Sequence, residues 1–211
     1  MAALNDFGIW RGDPIILASK SKGRARLLES AGIPYETEDS KLDERLASGI
    51  DELNPGAQAT SLARAKAQLV SSRCPGRIVI GADQTLAFAG QTLHKSTRVE
   101  DAIDQFRRLA GARHELHSAV ACVRDGAVLF EFVETAKIQM RQLSEAALRS
   151  YVRAMGENVL RSVGGYEIEG IGANLLESID GDIFTIIGLP LFGLLAELRK
   201  LGLIDEENII R

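Results

Sequence analysis

The strongest constraint on this chain is an alternation of short, wholly apolar runs with helical patterns. Pro14-Ile-Ile-Leu-Ala18 carries no polar residue, and the turn beginning at Ser19-Lys20-Ser21 leads into a helical pattern from about Lys22 to Ser30. A strand without polar alternation is buried on both faces, as in parallel sheets covered by crossing helices. The arrangement recurs. Ile33 to Glu38 reads as a strand, Asn54-Pro55-Gly56 as a turn, and residues from about Gln58 to Ser72 as a helix. Arg77-Ile-Val-Ile-Gly-Ala82 is then a second apolar strand, ending at Asp83.

The middle of the chain has a different grammar. Thr85 to Phe88 and Gln91 to Leu93 form hairpin arms around Ala89-Gly90, and Leu116 to Val123 and Ala127 to Glu134 flank Arg124-Asp-Gly126. Between them, Thr97 and Glu100 have capping-box spacing ahead of an apolar stripe formed by Val99, Ala102, Ile103, Phe106 and Ala110. Ser144 caps a helix to about Ala154, Phe184 to Ile187 reads as a strand, and Pro190 opens the final helix. Parallel units first and hairpins later imply an α/β fold, a mixed twisted sheet flanked by helices. No repeat or linker divides the 211 residues, so we expect one domain over 1–211, with 1–13 as an N-terminal extension.

Charge and composition narrow the function. A formal net charge of −4 argues against broad nucleic-acid binding, which needs a basic face. Apolar runs fall short of the roughly 18 residues of a membrane helix, and the first ten residues do not resemble a signal peptide, so a cytoplasmic protein is expected. Cys74 and Cys122 match no metal or redox spacing, and His94, His114 and His117 form no zinc pattern.

Several segments carry chemistry, each with a plainer alternative. The Ser19–Arg24 turn joins strand to helix, where free backbone N–H groups and cations suit a phosphate chain, although a serine cap with solvated lysines has the same sequence. Asp43-Glu44 offers the hard oxygens that Mg²⁺ prefers, or only a solvated acidic pair. Lys66 sits within the apolar stripe of its helix near Leu62, Leu69 and Val70; it needs an anionic partner or snorkels from the edge. Asp83, after Gly81-Ala82, could ligate a metal or accept a proton, or make a local turn bond. Lys95 is a further cation after the first hairpin, and Gly164 to Gly172 is a binding loop or a connector.

Taken in order, these segments resemble the Maf family of nucleotide pyrophosphatases over roughly Pro14 to Leu201. The correspondence rests on Ser19, Ser21 and Arg24; Asp43-Glu44; Ala63-Arg-Ala-Lys66-Ala67; Gly81-Ala-Asp83; Lys95; Gly165-Tyr-Glu-Ile-Glu169-Gly170; and Gly181-Asp182 through Ile187-Gly-Leu-Pro190. Lys22 and Gly23 depart from the family's Pro and first Arg, and Ser96 from its Pro. Gln84 resembles the branch acting on 7-methyl-GTP, and Glu169 stands where the pyrimidine branch often has Gln, so base preference is open.

The resemblance implies two lobes around a central cleft, as in inosine triphosphatase-like folds. It implies hydrolysis of nucleoside triphosphates to monophosphate and pyrophosphate with a divalent cation, Mg²⁺ or Mn²⁺. Asp83, Lys66 and Lys95 would be catalytic; Ser19, Ser21, Arg24 and Glu169 would bind substrate; and Glu44 with Asp83 would hold the metal. The expected partner is the nucleotide, without nucleic acid or membrane, and the resemblance leaves a homodimer open. The competing expectation is a regulatory nucleotide-binding protein of cell division with little turnover.

Overall fold

Local chemistry sets the helices first. The structure, a computed structural model, describes residues 9–42, 53–205 and 207. Helix α1 (Lys22–Ser30) starts at Ser21, whose side chain accepts from the Arg24 N–H. Helix α2 (Pro55–Ser71) begins three residues earlier than its apolar stripe suggests. Asn54 is its cap, accepting from the Ala57 N–H, and Pro55 occupies the first turn, where its missing N–H does no harm. Asn-Pro-Gly is therefore a helix start and not a separate turn.

The remaining helices test the other expectations. In α3 (Val99–Leu109) the cap residue is Arg98 without a side-chain cap bond, so the Thr97/Glu100 box does not form; Arg98 instead pairs with Asp101 at 2.7 Å. Ser144 does cap α4 (Glu145–Met155). The segment read as a strand near Phe184 is a short helix, α5 (Ile183–Ile187). Asp182 caps it, and Gly188 ends it at φ 109°. Its β-branched residues favour a strand, but the cap and the left-handed glycine decide the local conformation. Helix α6 (Leu191–Lys200) follows Pro190 as expected.

Among the described residues these helices cover one seven-stranded sheet with main order β2-β1-β3-β5-β6-β7, and β4 paired to β3. Strands β1 (Ile15–Ala18), β2 (Tyr35–Thr37) and β3 (Val79–Phe88) run parallel, and the antiparallel part contains β4 (Gln91–Leu93), β5 (Arg113–Arg124), β6 (Ala127–Met140) and β7 (Leu176–Asp180). The mixed sheet is thus present, with longer central strands than the sequence suggests.

Period-two alternation assigns the two faces. One face of β3 and β5 presents Val79, Ala119, Ala121 and Val123 to Ala59, Ala63, Ala67 and Val70 of α2. The opposite face holds larger residues in two groups: Ile80, Ala82, Val120 and Cys122 beneath α1 and α6, and Leu86, Leu116, Ala136 and Ile138 beneath α3 and α4. Those groups are the cores of two lobes sharing one sheet. Both cysteines are free, and burial pushes the Cys122 thiol up to about 12. Residues 10 and 11 are tied to the segment after α6, where Trp10 bridges Ile204 and Arg11 pairs with Asp205 at 2.8 Å.

Candidate active site

A change of partner along β3 leaves a gap in the pairing of the sheet. On one edge β3 pairs with β5 from Val79 to Ala87. On its other edge it pairs with β1 up to Gly81 and with β4 from Leu86 onward. Positions 82–85 therefore have neither β1 nor β4 beside them. Asp83 lies in this gap, in mid-strand and not at a strand's end. The strand continues past Asp83 because pairing to β5 continues; it is β1 that stops. A crevice beyond the carboxyl end of a parallel strand is where open α/β sheets bind ligands.

Lys66 reaches the gap from α2. Its Nζ donates to Asp83 Oδ1 at 2.5 Å, with side chains only 14% and 10% exposed respectively. The sequence alternative of a snorkelling lysine is thereby replaced by a partly buried ion pair. Gly81 makes the approach feasible. A Cβ there would overlap the Ala63 carbonyl oxygen and stand 2.8 Å from the Ala67 nitrogen. Alanines 63 and 67 on the helix and glycine on the strand let the two backbones close up, so a lysine one turn along spans the remaining distance.

Arg24 enters from the other side of the sheet. Its Nη1 donates to the Ala82 carbonyl at 2.9 Å and to Ser19 Oγ at 3.1 Å, while Nε donates to the Gly188 carbonyl at 2.7 Å. Ser19 Oγ also accepts from the Ser21 N–H at 3.2 Å, so the turn after β1 is internally braced. Lys20 pairs with Asp39 at 2.7 Å and holds that carboxylate below its ordinary range. The Ser19–Arg24 turn thus combines a cap, an ion pair and a brace at the gap's β1 side.

The other candidates are less closely tied. Lys95 is exposed in the loop after β4, on the gap's opposite border, and Glu169 is exposed in the glycine-rich segment. Among the described residues no bond links either to the Lys66–Asp83 pair. Asp43 and Glu44 lie outside the described residues. No group of three potential metal ligands occurs among the described residues. Asp83 supplies one hard-oxygen carboxylate at the gap, which suits Mg²⁺ or Mn²⁺ shared with substrate phosphates; such ions commonly rest on one or two carboxylates.

Gln84, next to Asp83, projects to the opposite face. Its Nε2 lies 2.9 Å from Ser118 Oγ and 2.9 and 3.0 Å from the Thr185 and Ile186 carbonyls, three acceptors that share its two hydrogens. Ser118 Oγ donates to the Thr185 carbonyl at 2.7 Å. No local pattern signals this network, because its members lie 34 to 102 residues apart.

A family model described as Maf-like protein matches residues 14–201. The chain belongs to the Maf family. Among Maf relatives, a nucleoside triphosphate pyrophosphatase of Nitrobacter winogradskyi is 48% identical over 199 residues, spanning 93% of this chain and 98% of that one. A 7-methyl-GTP pyrophosphatase of Rhizobium etli is 44% identical over 194 residues, spanning 90% and 98%. A solved HAM1 protein of Coxiella burnetii is similar at 13% identity and a TM-score of 0.38, covering 61% of this chain and 73% of that one. Among the described residues, no helix of this Maf protein is long and apolar enough to cross a membrane.

Proposed function

We propose that this protein is a nucleoside triphosphate pyrophosphatase, cleaving between the α and β phosphates to give a nucleoside monophosphate and pyrophosphate. The observation that carries the reading is the Lys66–Asp83 pair, held at 2.5 Å in the gap of β3 beside the Ser19–Arg24 turn. The names of relatives 44% and 48% identical over nearly their whole length support it. A nucleoside triphosphate carries about four negative charges, so phosphoryl transfer depends chiefly on positioning and charge neutralisation.

In this reading the Ser19–Arg24 turn, Lys66 and Lys95 border the polyphosphate. Asp83 accepts the proton of a water whose oxygen attacks the α phosphorus. The bond from that phosphorus to the α–β bridging oxygen breaks, and pyrophosphate leaves with the electron pair. Lys66, bonded to Asp83, keeps the carboxylate aimed and offers positive charge as the transition state forms. In the competing assignment Asp83, with Glu44, would hold a divalent cation that neutralises phosphate charge. Coordination lowers a carboxylate's basicity, so metal ligation and proton acceptance are alternative roles for Asp83.

The test is a nucleotide panel with Mg²⁺ or Mn²⁺, including pyrimidine triphosphates and 7-methyl-GTP, read as pyrophosphate release. Release by the native protein and its loss in folded Asp83→Asn and Lys66→Ala support the proposal. Orthophosphate as first product contradicts the cleavage position. Tight nucleotide binding without release would favour the regulatory reading, and the panel itself reports base preference.

A further inference from the structure

A five-residue helix has almost no carbonyl bonded within itself, so its end needs outside donors. For α5 those donors come from Gln84 beside Asp83, from Ser118 on β5 and from Arg24 on α1. Gln84 Nε2 covers the Thr185 and Ile186 carbonyls, Ser118 Oγ covers Thr185 as well, and Arg24 Nε covers Gly188. The Thr185 and Ile186 acceptors fix which end of the Gln84 amide faces α5, since only its nitrogen can donate. Ser118 and Thr185 are 0% and 1% exposed, so that end of the network is desolvated, while Gln84 itself is half-buried. Arg24 then returns to the Ala82 carbonyl. The result is a closed ring: Ala82, Asp83 and Gln84 along β3, across to α5 and Gly188, and back through Arg24.

Contact with α1 closes the ring further. A Cβ at Gly23 would stand 3.1 Å from Ile187 Cγ2, so glycine at this position lets α5 seat against the first turn of α1. Asp83 is the one residue of β3 between the two that the ring grips. A small displacement at either grip tilts its carboxylate relative to Lys66.

We propose that Gln84 is a positioning residue, which fixes the Asp83 carboxylate by bolting β3 to the carboxyl end of α5, with Ser118 as its second anchor. This rests on the pyrophosphatase reading for its kinetic consequence. Gln84 acts through α5 on the face opposite Lys66, without touching the phosphates.

The test uses the full chain with Gln84→Met, which keeps side-chain length and removes the donor, and Ser118→Ala as a milder companion. Because a misplacement near 1 Å can lower turnover by about 10²-fold, Gln84→Met is expected to lower kcat by roughly 10- to 100-fold. KM should stay within about twofold, as expected when only transition-state interactions are lost. Ser118→Ala should give the same split at smaller size. Amide hydrogen exchange should quicken over residues 183–189 in both variants.

An unchanged kcat, or a loss confined to KM, overturns the proposal. Unchanged exchange over 183–189 also overturns it, and that readout needs no turnover. If Gln84→Met does not fold, Ser118→Ala decides by the same two measurements. Failure of the pyrophosphatase reading would appear separately, as absence of pyrophosphate release by the native protein.

Discussion

The two faces of the central strands hold Asp83 and Gln84 by different means. On the α2 face the contact is steric. Alanines 59, 63 and 67 and Gly81 bring helix and strand close. The Lys66–Asp83 pair, the Thr85 hydroxyl donating to the Pro55 carbonyl and, at the exposed edge, Arg64 with Glu131 cross the remaining space. On the opposite face the side chains are larger, and polar groups sit among them: half-buried Gln84 and buried Ser118 under α5, and buried His114 bonded to Tyr166 at 2.6 Å. Small-residue packing fixes the distance between backbones. Buried hydrogen bonds fix direction, and each becomes costly if one partner is removed. The contrast teaches that the site's reach and its aim have separate structural origins.

The largest expected effect tests the α2 face. Lys66→Met should lower kcat/KM by about 10³-fold, a loss typical of removing a preorganised electrostatic group. A folded variant retaining near-native turnover would break the assignment of chemistry to this side. Gly81→Ala comes next. Its Cβ meets backbone, which cannot rotate away, so a stability loss on the order of 3 kcal/mol is expected in denaturant titration. A loss well under 1 kcal/mol would mean the helix can retreat cheaply, and close packing would not be the fixing element.

The polar face should reveal itself through pH. Burial holds the His114 pKa down to about 4, against an ordinary 6.5. The unfolded chain therefore binds a proton that the folded chain refuses. This residue's contribution is full above about pH 6.5 and is lost progressively towards pH 4. His114→Gln should flatten that acid-side decline by up to about 3 kcal/mol, measured as unfolding free energy against pH. An unchanged slope would assign acid sensitivity elsewhere, with His117, also lowered by burial, as the next residue to examine.

The smallest effects compare two helix caps. Asn54 caps α2 and Asp182 caps α5 through bonds of the same kind, so Asn54→Ala and Asp182→Ala should each cost about 1 kcal/mol of stability. Only Asp182→Ala should also reduce kcat, and by a few-fold, because α5 aims Asp83 while the long α2 does not depend on its first turn. Equal kinetic effects would erase the distinction.

Much of the α2 face could be read from sequence, because its signals are local. Lys66 within an apolar helical stripe and Gly81-Ala82 before Asp83 both concern spacing along one element. The partner exchange on β3 had no such signal: the residues of β3 do not record that β1 stops beside Gly81 and β4 begins beside Leu86. Residues 183–187 misled because β-branched propensity is weaker than a cap at Asp182 and a left-handed Gly188. The Gln84–Ser118–Thr185 network joins three distant segments, so only folding brings its meaning into view. The metal expectation involving Asp43 and Glu44 falls outside the described residues.

The interruption beside β3 has a mechanical consequence. Over positions 82–85 neither β1 nor β4 is laddered to the strand, so side chains rather than backbone pairing must hold these neighbours to it. On the β1 side the break is bridged by the Arg24 side chain, which bonds Ser19 and the Ala82 carbonyl, while the unbroken β3–β5–β6 spine keeps both halves in register.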